Sequence, residues 1–113
     1  MIPLGFYVGR AIHIHVQVYT EWSTAENGTI RTGNLASTGQ LYFEEKLEQK
    51  IMTLPPYAFH TQINRTTNAV DPFYPGGTAG GYNPVISVVA ADGKDVRNGM
   101  IGYITVGVDT SAV

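Results

Sequence analysis

Hydrophobic and polar residues alternate most regularly near the start of the chain. Between Ala11 and Thr20, apolar residues at every second position are separated by His, Gln and Tyr. A period of two is typical of a β-strand, because successive side chains of a strand point to opposite faces. We therefore predict a strand over residues 11–20 with one apolar face and one polar face.

Weaker strand signals follow later in the chain. Gly39–Phe43 is a short candidate, Val85–Ala90 is rich in β-branched residues, and Met100–Val108 alternates around two glycines. The segment Ala91–Lys94 contains Asp-Gly, which favours the tight turn of a hairpin. These signals predict a chain built mainly from strands.

A single segment has the composition of a helix. Glu44–Met52 is rich in Glu, Lys, Leu and Gln, and the Pro-Pro pair after Leu54 ends it. Its glutamates at positions 44, 45 and 48 predict a solvated face. We expect one short helix.

The segments between these elements predict long connections. Residues 21–38 and 71–83 are rich in Gly, Pro, Thr, Ser and Asn, and residues 57–70 have no clear period. With 113 residues and 43% hydrophobic residues, the chain has the size and composition of one globular domain over 1–113. The fold class is mostly β with one short helix, and the simplest arrangement is a β-sandwich.

Charge and composition exclude several classes of function. The net charge is −2, which offers no electrostatic attraction to nucleic acid or to an anionic membrane. The absence of cysteine excludes disulfides and thiolate metal sites. No apolar run approaches the length of a membrane span, and the first residues lack the pattern of a signal peptide.

The polar face of the first predicted strand carries His13 and His15. Residues two apart on a strand project to the same side, so the two imidazoles can converge on one metal ion. Imidazole is a good ligand for iron, zinc, copper and nickel. The alternative is that both are polar side chains on a solvated face.

The residues before the histidines make the pattern more specific. Tyr7-Val8-Gly9-Arg10 precedes Ala11-Ile12-His13-Ile14-His15. This Tyr-x-Gly-Arg-x-x-His-x-His pattern resembles the C-terminal catalytic portion of the intradiol ring-cleavage dioxygenases, above all their secreted fungal branch. A second block, Thr38–Phe43, resembles the next strand of that family, with Gln40 facing the pocket.

The resemblance implies a complete set of roles. Tyr7, His13 and His15 would be ligands of a non-haem Fe(III), and Arg10 and Gln40 would stabilise charge on the bound substrate. The implied reaction is the cleavage of a catechol-type diol by O2 to a muconate-type diacid. The implied fold is an incomplete β-sandwich of the intradiol dioxygenase type.

One ligand of the family pattern has no counterpart among the 113 residues. The resemblance puts the first tyrosine ligand tens of residues before Tyr7, so we expect three protein ligands here. The chain would then be a fragment of a longer enzyme, a truncated inactive relative, or an enzyme that borrows a ligand. Missing strands would expose sheet edges, so we also expect self-association.

Two other functions remain open at this point. His60 could complete a three-histidine zinc site with the pair on the strand, although a structural role is more common for such a residue. The chain could also be a non-catalytic β-sandwich binding or scaffold module that has lost the iron site. The resemblance to the secreted branch and two glycosylation sequons, at Asn27 and Asn64, point to an extracellular parent.

Overall fold

A computed structural model describes residues 3–112 of the chain. Within this range the regular elements are six strands and two α-helices, joined by turns and short 3-10 segments. The strands are β1 (His13–Thr20), β2 (Ser23–Thr24), β3 (Ile30–Arg31), β4 (Asn34–Tyr42), β5 (Ser87–Ala90) and β6 (Met100–Tyr103), and the helices are α1 (Glu45–Met52) and α2 (Tyr74–Thr78).

The longest strands, β1 and β4, pair antiparallel, and β1 forms where the alternating pattern predicted it. Their register places His13 opposite Tyr42 and His15 opposite Gln40. The pairing shifts by one residue at a bulge between Val18 and the next residue of β1. Because directly paired residues share a face of the sheet, the polar face of β1 and the even-numbered residues of β4 lie together.

The second pair, β5 and β6, continues from the end of β4. Tyr42 donates its backbone N–H to Pro84 at 2.9 Å, and Ile86 donates its N–H to the Tyr42 carbonyl at 2.7 Å. These bonds form a parallel bridge between Tyr42 and Val85. The third pair, β2 with β3, is a small hairpin within the connection between β1 and β4.

The hydrophobic core lies on the apolar side of β1 and β4. Ile12, Phe43 and Ile86 are buried at its centre. The radius of gyration is 16.5 Å, whereas a compact domain of this length has about 13 Å. An open groove of about 660 Å³ beside Phe43 and Ile86 shows that the apolar face is only partly covered. The three two-stranded sheets confirm the prediction of a mostly β fold. The sandwich arrangement and self-association remain predictions.

The predicted helix forms as α1, but its glutamates do not all face solvent. Glu48 is fully buried and its carboxylate forms an ion pair with Arg65, with Nη1 and Oε2 2.7 Å apart. The prediction of a solvated glutamate face was therefore wrong at this position. The sequence pattern could not reveal this, since the guanidinium that accompanies Glu48 comes from a segment 17 positions later.

Two predicted loops contain more structure than expected. Residues 21–38 hold the β2–β3 hairpin and the first half of β4, and residues 71–83 hold α2. The last strand is shorter than predicted, because β6 ends at Tyr103. In the described part of the chain, no helix has the length and apolarity needed to cross a membrane.

Candidate metal centre

The polar face of the β1–β4 pair gathers the residues that the sequence singled out. His13 and His15 come from β1, and Gln40 and Tyr42 stand opposite them on β4. Tyr7 and Arg10 precede β1 and fold back over the same face, where both contact it through side-chain hydrogen bonds. The strand register brings His13, His15 and Gln40 together, and the segment before β1 adds Tyr7 and Arg10. All five predicted site residues therefore lie on one face.

Two other potential ligand atoms lie close to the His13 imidazole on this face. Nε2 of His13 lies 3.0 Å from Nε2 of His15 and 3.4 Å from the hydroxyl oxygen of Tyr7. The Tyr7 side chain is about half exposed, at 53% of its full accessibility. The centre is thus open to solvent and to small molecules.

A backbone carbonyl fixes the orientation of His13. Its Nδ1 lies 2.7 Å from the carbonyl oxygen of Ala11. A carbonyl only accepts, so Nδ1 carries the hydrogen and the neutral ring keeps a lone pair on Nε2. Metal-binding histidines commonly donate their second N–H to a carbonyl in this way. The lone pair of His13 therefore points to where His15 and Tyr7 converge.

The spacing of these atoms fits a single metal ion. Two ligands at about 2.1 Å from one metal, as for imidazole on zinc, are about 3.0 Å apart at a right angle and about 3.4 Å apart at a tetrahedral angle. The observed separations of 3.0 and 3.4 Å fall in this range. Two imidazole nitrogens and a phenol oxygen are also a donor set that suits ferric iron, because a phenolate is a hard anionic ligand.

Arg10 connects the ligand atoms with the rest of the polar face. Its Nε donates to Oδ2 of Asp71 at 2.8 Å, and its Nη2 donates to the amide oxygen of Gln40. Its Nη1 lies 3.4 Å from the Tyr7 hydroxyl oxygen. The guanidinium also lies over the ring of Phe73, 4.6 Å from its centroid. These contacts on several sides fix the guanidinium next to the candidate ligands.

The carboxylate that holds Arg10 is itself buried. Asp71 accepts hydrogen bonds from the backbone N–H groups of Ala11 at 2.8 Å and Phe73 at 2.9 Å, in addition to Arg10. Burial alone would raise the pKa of Asp71, but the hydrogen bonds from Arg10, Ala11 and Phe73 outweigh it and lower the pKa to about 2. Asp71 is therefore a permanent anion at neutral pH.

Tyr42 lies beneath this network and is almost completely buried. Its hydroxyl group lies 3.3 Å from both the Gln40 amide oxygen and Oδ1 of Asp71. Burial and then the charge of Asp71 raise the pKa of Tyr42, which disfavours its phenolate. Tyr42 is thus a structural hydrogen-bond donor rather than a further metal ligand.

A cavity of about 360 Å³ opens beside Gln40 and Tyr42 on the same face. Phe73 from the segment before α2 forms one wall, and Gly76 and Gly77 from α2 form another. Because the two glycines carry no side chain, the wall at α2 is set back from the strand. The cavity has the size of a small aromatic molecule and is bordered by the amide of Gln40.

The alternative zinc site is not formed. The imidazole of His60 packs against the ring of Phe6, with centroids 4.5 Å apart, in a pocket that also holds Met52 and Tyr57. Within residues 3–112, no three side chains among His, Cys, Asp and Glu converge as a metal site. His60 is therefore an exposed residue that contacts Phe6 rather than the candidate ligand atoms.

Sequence reasoning missed the residues that support Arg10. Asp71 fell in a predicted connection and Tyr42 in a predicted short strand, and neither residue was predicted to belong to the site. A lone aspartate before a proline is a weak signal, and no spacing rule links it to an arginine 61 positions earlier. Only the fold brings the two together.

Comparison with known proteins shows a likeness of fold. No model of a known protein family matches the chain, and no curated protein does. Among solved structures, the fold is similar to an intradiol ring-cleavage dioxygenase from Tetranychus urticae, with a TM-score of 0.70 and 23% sequence identity over 94% of this chain. The match spans 44% of that protein. At this identity the likeness shows the fold alone, and it agrees with the mostly β fold that the sequence predicted.

Proposed function

We propose that the chain is the metal-binding part of an intradiol ring-cleavage dioxygenase that acts on a catechol-type diol with O2. The observation that carries the proposal is that Nε2 of His13 lies 3.0 Å from Nε2 of His15 and 3.4 Å from the hydroxyl oxygen of Tyr7. The similar fold of the Tetranychus urticae dioxygenase supports the same function. A likeness of fold leaves the chemistry to the site, and here three of the four expected donor groups support the proposal.

The proposed metal is a non-haem Fe(III) held by Tyr7 Oη and the Nε2 atoms of His13 and His15. When bound, the ferric ion would take up both oxygens of the diol and make the ring reactive toward O2. Tyr7 would bind as a phenolate, because a ferric ion prefers a hard anionic oxygen and metal binding releases the protons of its ligands. Arg10 Nη1 lies 3.4 Å from the Tyr7 oxygen, so a positive charge stands beside the position of that phenolate.

Arg10 and Gln40 are the groups placed to act on the substrate. The guanidinium stays protonated, since its hydrogen bond to Asp71 raises the pKa of Arg10 further. Fixed between Asp71 and Gln40, it presents a positive charge beside the ligand atoms without needing to reorganise. The cavity beside Gln40 is the proposed position of the aromatic ring.

The overall reaction balances without a further reductant. One catechol and one O2 give one muconate-type diacid, in which both oxygen atoms of O2 are retained. The bond that breaks is the ring C–C bond between the two hydroxyl-bearing carbons. The ring supplies the electrons that reduce O2, so the site needs no organic cofactor for this step.

Three finer features belong to the same proposal. We propose that a second tyrosine ligand completes the iron site and that the parent protein has the intradiol-type sandwich. The chain spans less than half of the Tetranychus urticae enzyme, so the activity of the whole protein is proposed for the parent. We further propose the secreted fungal branch, and with it an extracellular parent.

Iron content and the visible spectrum of the purified chain test the proposal. We expect bound Fe(III) and a broad visible band from phenolate-to-iron charge transfer, which should change when catechol is added. Oxygen uptake and formation of a diacid would then establish the reaction. A colourless protein that takes up no iron would contradict the metal site and favour a non-catalytic β-rich binding module.

A further inference from the structure

A second group of charged side chains is buried at α1, away from the ligand atoms. Arg65 Nη1 donates to Oε2 of Glu48 at 2.7 Å and lies 2.9 Å from Oε2 of Glu45. The Glu48 side chain is fully buried, that of Arg65 is 15% exposed and that of Glu45 is 32% exposed. Two carboxyl groups thus face a single guanidinium, and the carboxyl group of Glu48 has no access to solvent.

If both carboxyl groups are ionised, two of their oxygens have no hydrogen-bond donor. Oε1 of Glu48 and Oε2 of Glu45 are buried, and neither accepts a hydrogen bond from any group in the described part of the chain. A buried acceptor without a donor is costly, and so is a negative charge on buried Glu48 when a second carboxylate lies beside the same guanidinium. One proton on Glu48, shared with Glu45, removes the surplus charge and supplies the missing donor.

The electrostatics of Glu48 agree with this arrangement. Burial and then the negative charge of Glu45 raise the pKa of Glu48 to about 8, even though Arg65 and the backbone N–H of Phe43 favour the ionised form. Glu45 from the same helix and Arg65 from the following segment are the charged groups that face it. Glu48 is therefore mainly protonated at neutral pH.

The cluster also fixes the segment that leads to Asp71. The backbone N–H of Asn68 donates to Oε1 of Glu45 at 2.5 Å, and the Asn68 amide donates to the carbonyl of Phe43 at 2.6 Å. A 3-10 turn over Asn68–Val70 follows directly and ends at Asp71. The position of Asp71 against Arg10 thus depends on a segment attached at Asn68 and at Arg65.

We propose that Glu45 and Glu48 share one proton under Arg65, and that this proton-dependent anchor positions residues 65–71 and, through Asp71, the guanidinium of Arg10. Glu45, Glu48 and Arg65 are positioning residues, since none of them contacts the candidate ligand atoms. The inference rests on the proposed function only for the role of Arg10 in substrate activation. When the shared proton is lost, repulsion between the two carboxylates should loosen the segment and release Arg10.

Nuclear magnetic resonance of the metal-free protein tests the anchor directly. The carboxyl carbon of Glu48 and the Nε–H group of Arg10 would be followed from about pH 6 to about pH 10, a range that spans the ionisation of a buried carboxyl group. We expect both signals to titrate together with a midpoint of about 8. Glu48→Gln, which imitates the protonated form, should abolish the change at Arg10, whereas Glu44→Gln at the exposed start of α1 should leave it intact.

Two results would overturn the proposal. The first is an Arg10 signal that stays constant while Glu48 titrates, and the second is an Arg10 titration that persists in Glu48→Gln. If Glu48→Gln does not fold, the wild-type protein still tests the proposal. Equal titration midpoints for Glu48 and Arg10 would support it, and different midpoints would contradict it. Because this test uses metal-free protein, its outcome does not depend on whether the chain binds iron. Conversely, a result that contradicts the role of Glu48 would not contradict the proposed iron site.

Discussion

Nε of Arg10 donates a hydrogen bond of 2.8 Å to Oδ2 of Asp71, a residue 61 positions later in the chain. The Asp71 side chain is fully buried, and that of Arg10 is 12% exposed. The pair joins the segment before β1 to the segment before α2. It therefore connects the candidate ligands with the wall of the neighbouring cavity.

Replacing Asp71 by Asn should destabilise the fold and release Arg10. The amide keeps one acceptor but removes the negative charge, which leaves the buried guanidinium without its counter-ion. We expect a loss of about 2–4 kcal/mol in the free energy of unfolding, measured by denaturant titration. Asp109→Asn, at an exposed position near the end of the chain, is the matched control and should change little. Equal stability of the two variants would show that the buried pair contributes nothing.

Iron binding should depend on Tyr7, His13 and His15. Tyr7→Phe removes the phenolate and should abolish the visible band, and His13→Ala should lower the iron content itself. Tyr82→Phe is the control, because its ring is 76% exposed and lies away from the histidine pair in the segment after α2. Iron content by elemental analysis and the absorption spectrum measure the two effects. A visible band that survives Tyr7→Phe would exclude Tyr7 as the ligand.

Gln40→Ala should weaken catechol binding or turnover while the iron content stays the same. The amide oxygen of Gln40 accepts from Arg10 and lines the cavity, so its loss frees the guanidinium at the substrate position. Removing one preorganised polar group from such a site typically lowers the rate by roughly 10- to 100-fold or more. Gln17→Ala on the same strand face, whose side chain accepts from Tyr19, is the control. Titration of the iron-loaded protein with catechol would show the effect as a shift of its visible band.

The sequence predicted β1 and its candidate ligands, but it did not predict the buried residues that hold Arg10 and the segment before Asp71 in place. The two-residue period of β1 predicted that His13 and His15 share a face, and the resemblance to a known family added Tyr7 and Arg10 to the same site. Asp71 and the buried state of Glu48 were not predictable, because both depend on partners from distant segments. Local patterns report which way a side chain faces, whereas an ion pair between distant residues exists only once the chain has folded.

The free energy of unfolding should be highest at mildly acidic pH and should fall toward more acidic and toward more alkaline pH. The pKa of Glu48 is raised from 4.5 to about 8, so its contribution is complete below pH 4.5 and is lost as pH rises toward about 8. The pKa of Asp71 is lowered from 3.8 to about 2, so its contribution is complete above pH 3.8 and is lost toward about 2. Thermal unfolding as a function of pH measures both effects.

Glu48→Gln should flatten the alkaline side of that profile by up to about 5 kcal/mol, because the glutamine has no proton to lose. The acidic side should be unchanged, since Glu48 is protonated in both the folded and the unfolded protein there. A wild-type protein that gains stability between pH 4.5 and about 8 would contradict the raised pKa of Glu48. The same flattening in Glu44→Gln would assign it to a general charge effect instead.

Gly33 should tolerate no side chain. A Cβ atom there would lie 1.9 Å from the carbonyl oxygen of Thr20 and 2.6 Å from that of Glu21, and both are backbone atoms that cannot move alone. We expect Gly33→Ala to cost about 2–4 kcal/mol or to displace the end of the hairpin. Gly107→Ala meets no atom within 4 Å and is the control. Chemical denaturation of the two variants, side by side, measures the difference.

The bulge after Val18 separates the paired residues at the metal centre from the connection over residues 21–33. A residue inserted into that connection lengthens the far end of the hairpin and leaves His15 opposite Gln40. A residue inserted between Gly39 and Tyr42 would instead turn part of β4 over and carry Gln40 to the apolar side. Insertions and deletions at the hairpin tip should therefore be tolerated during evolution. They would change the outer surface of the protein and leave the pairing of His15 with Gln40 unchanged.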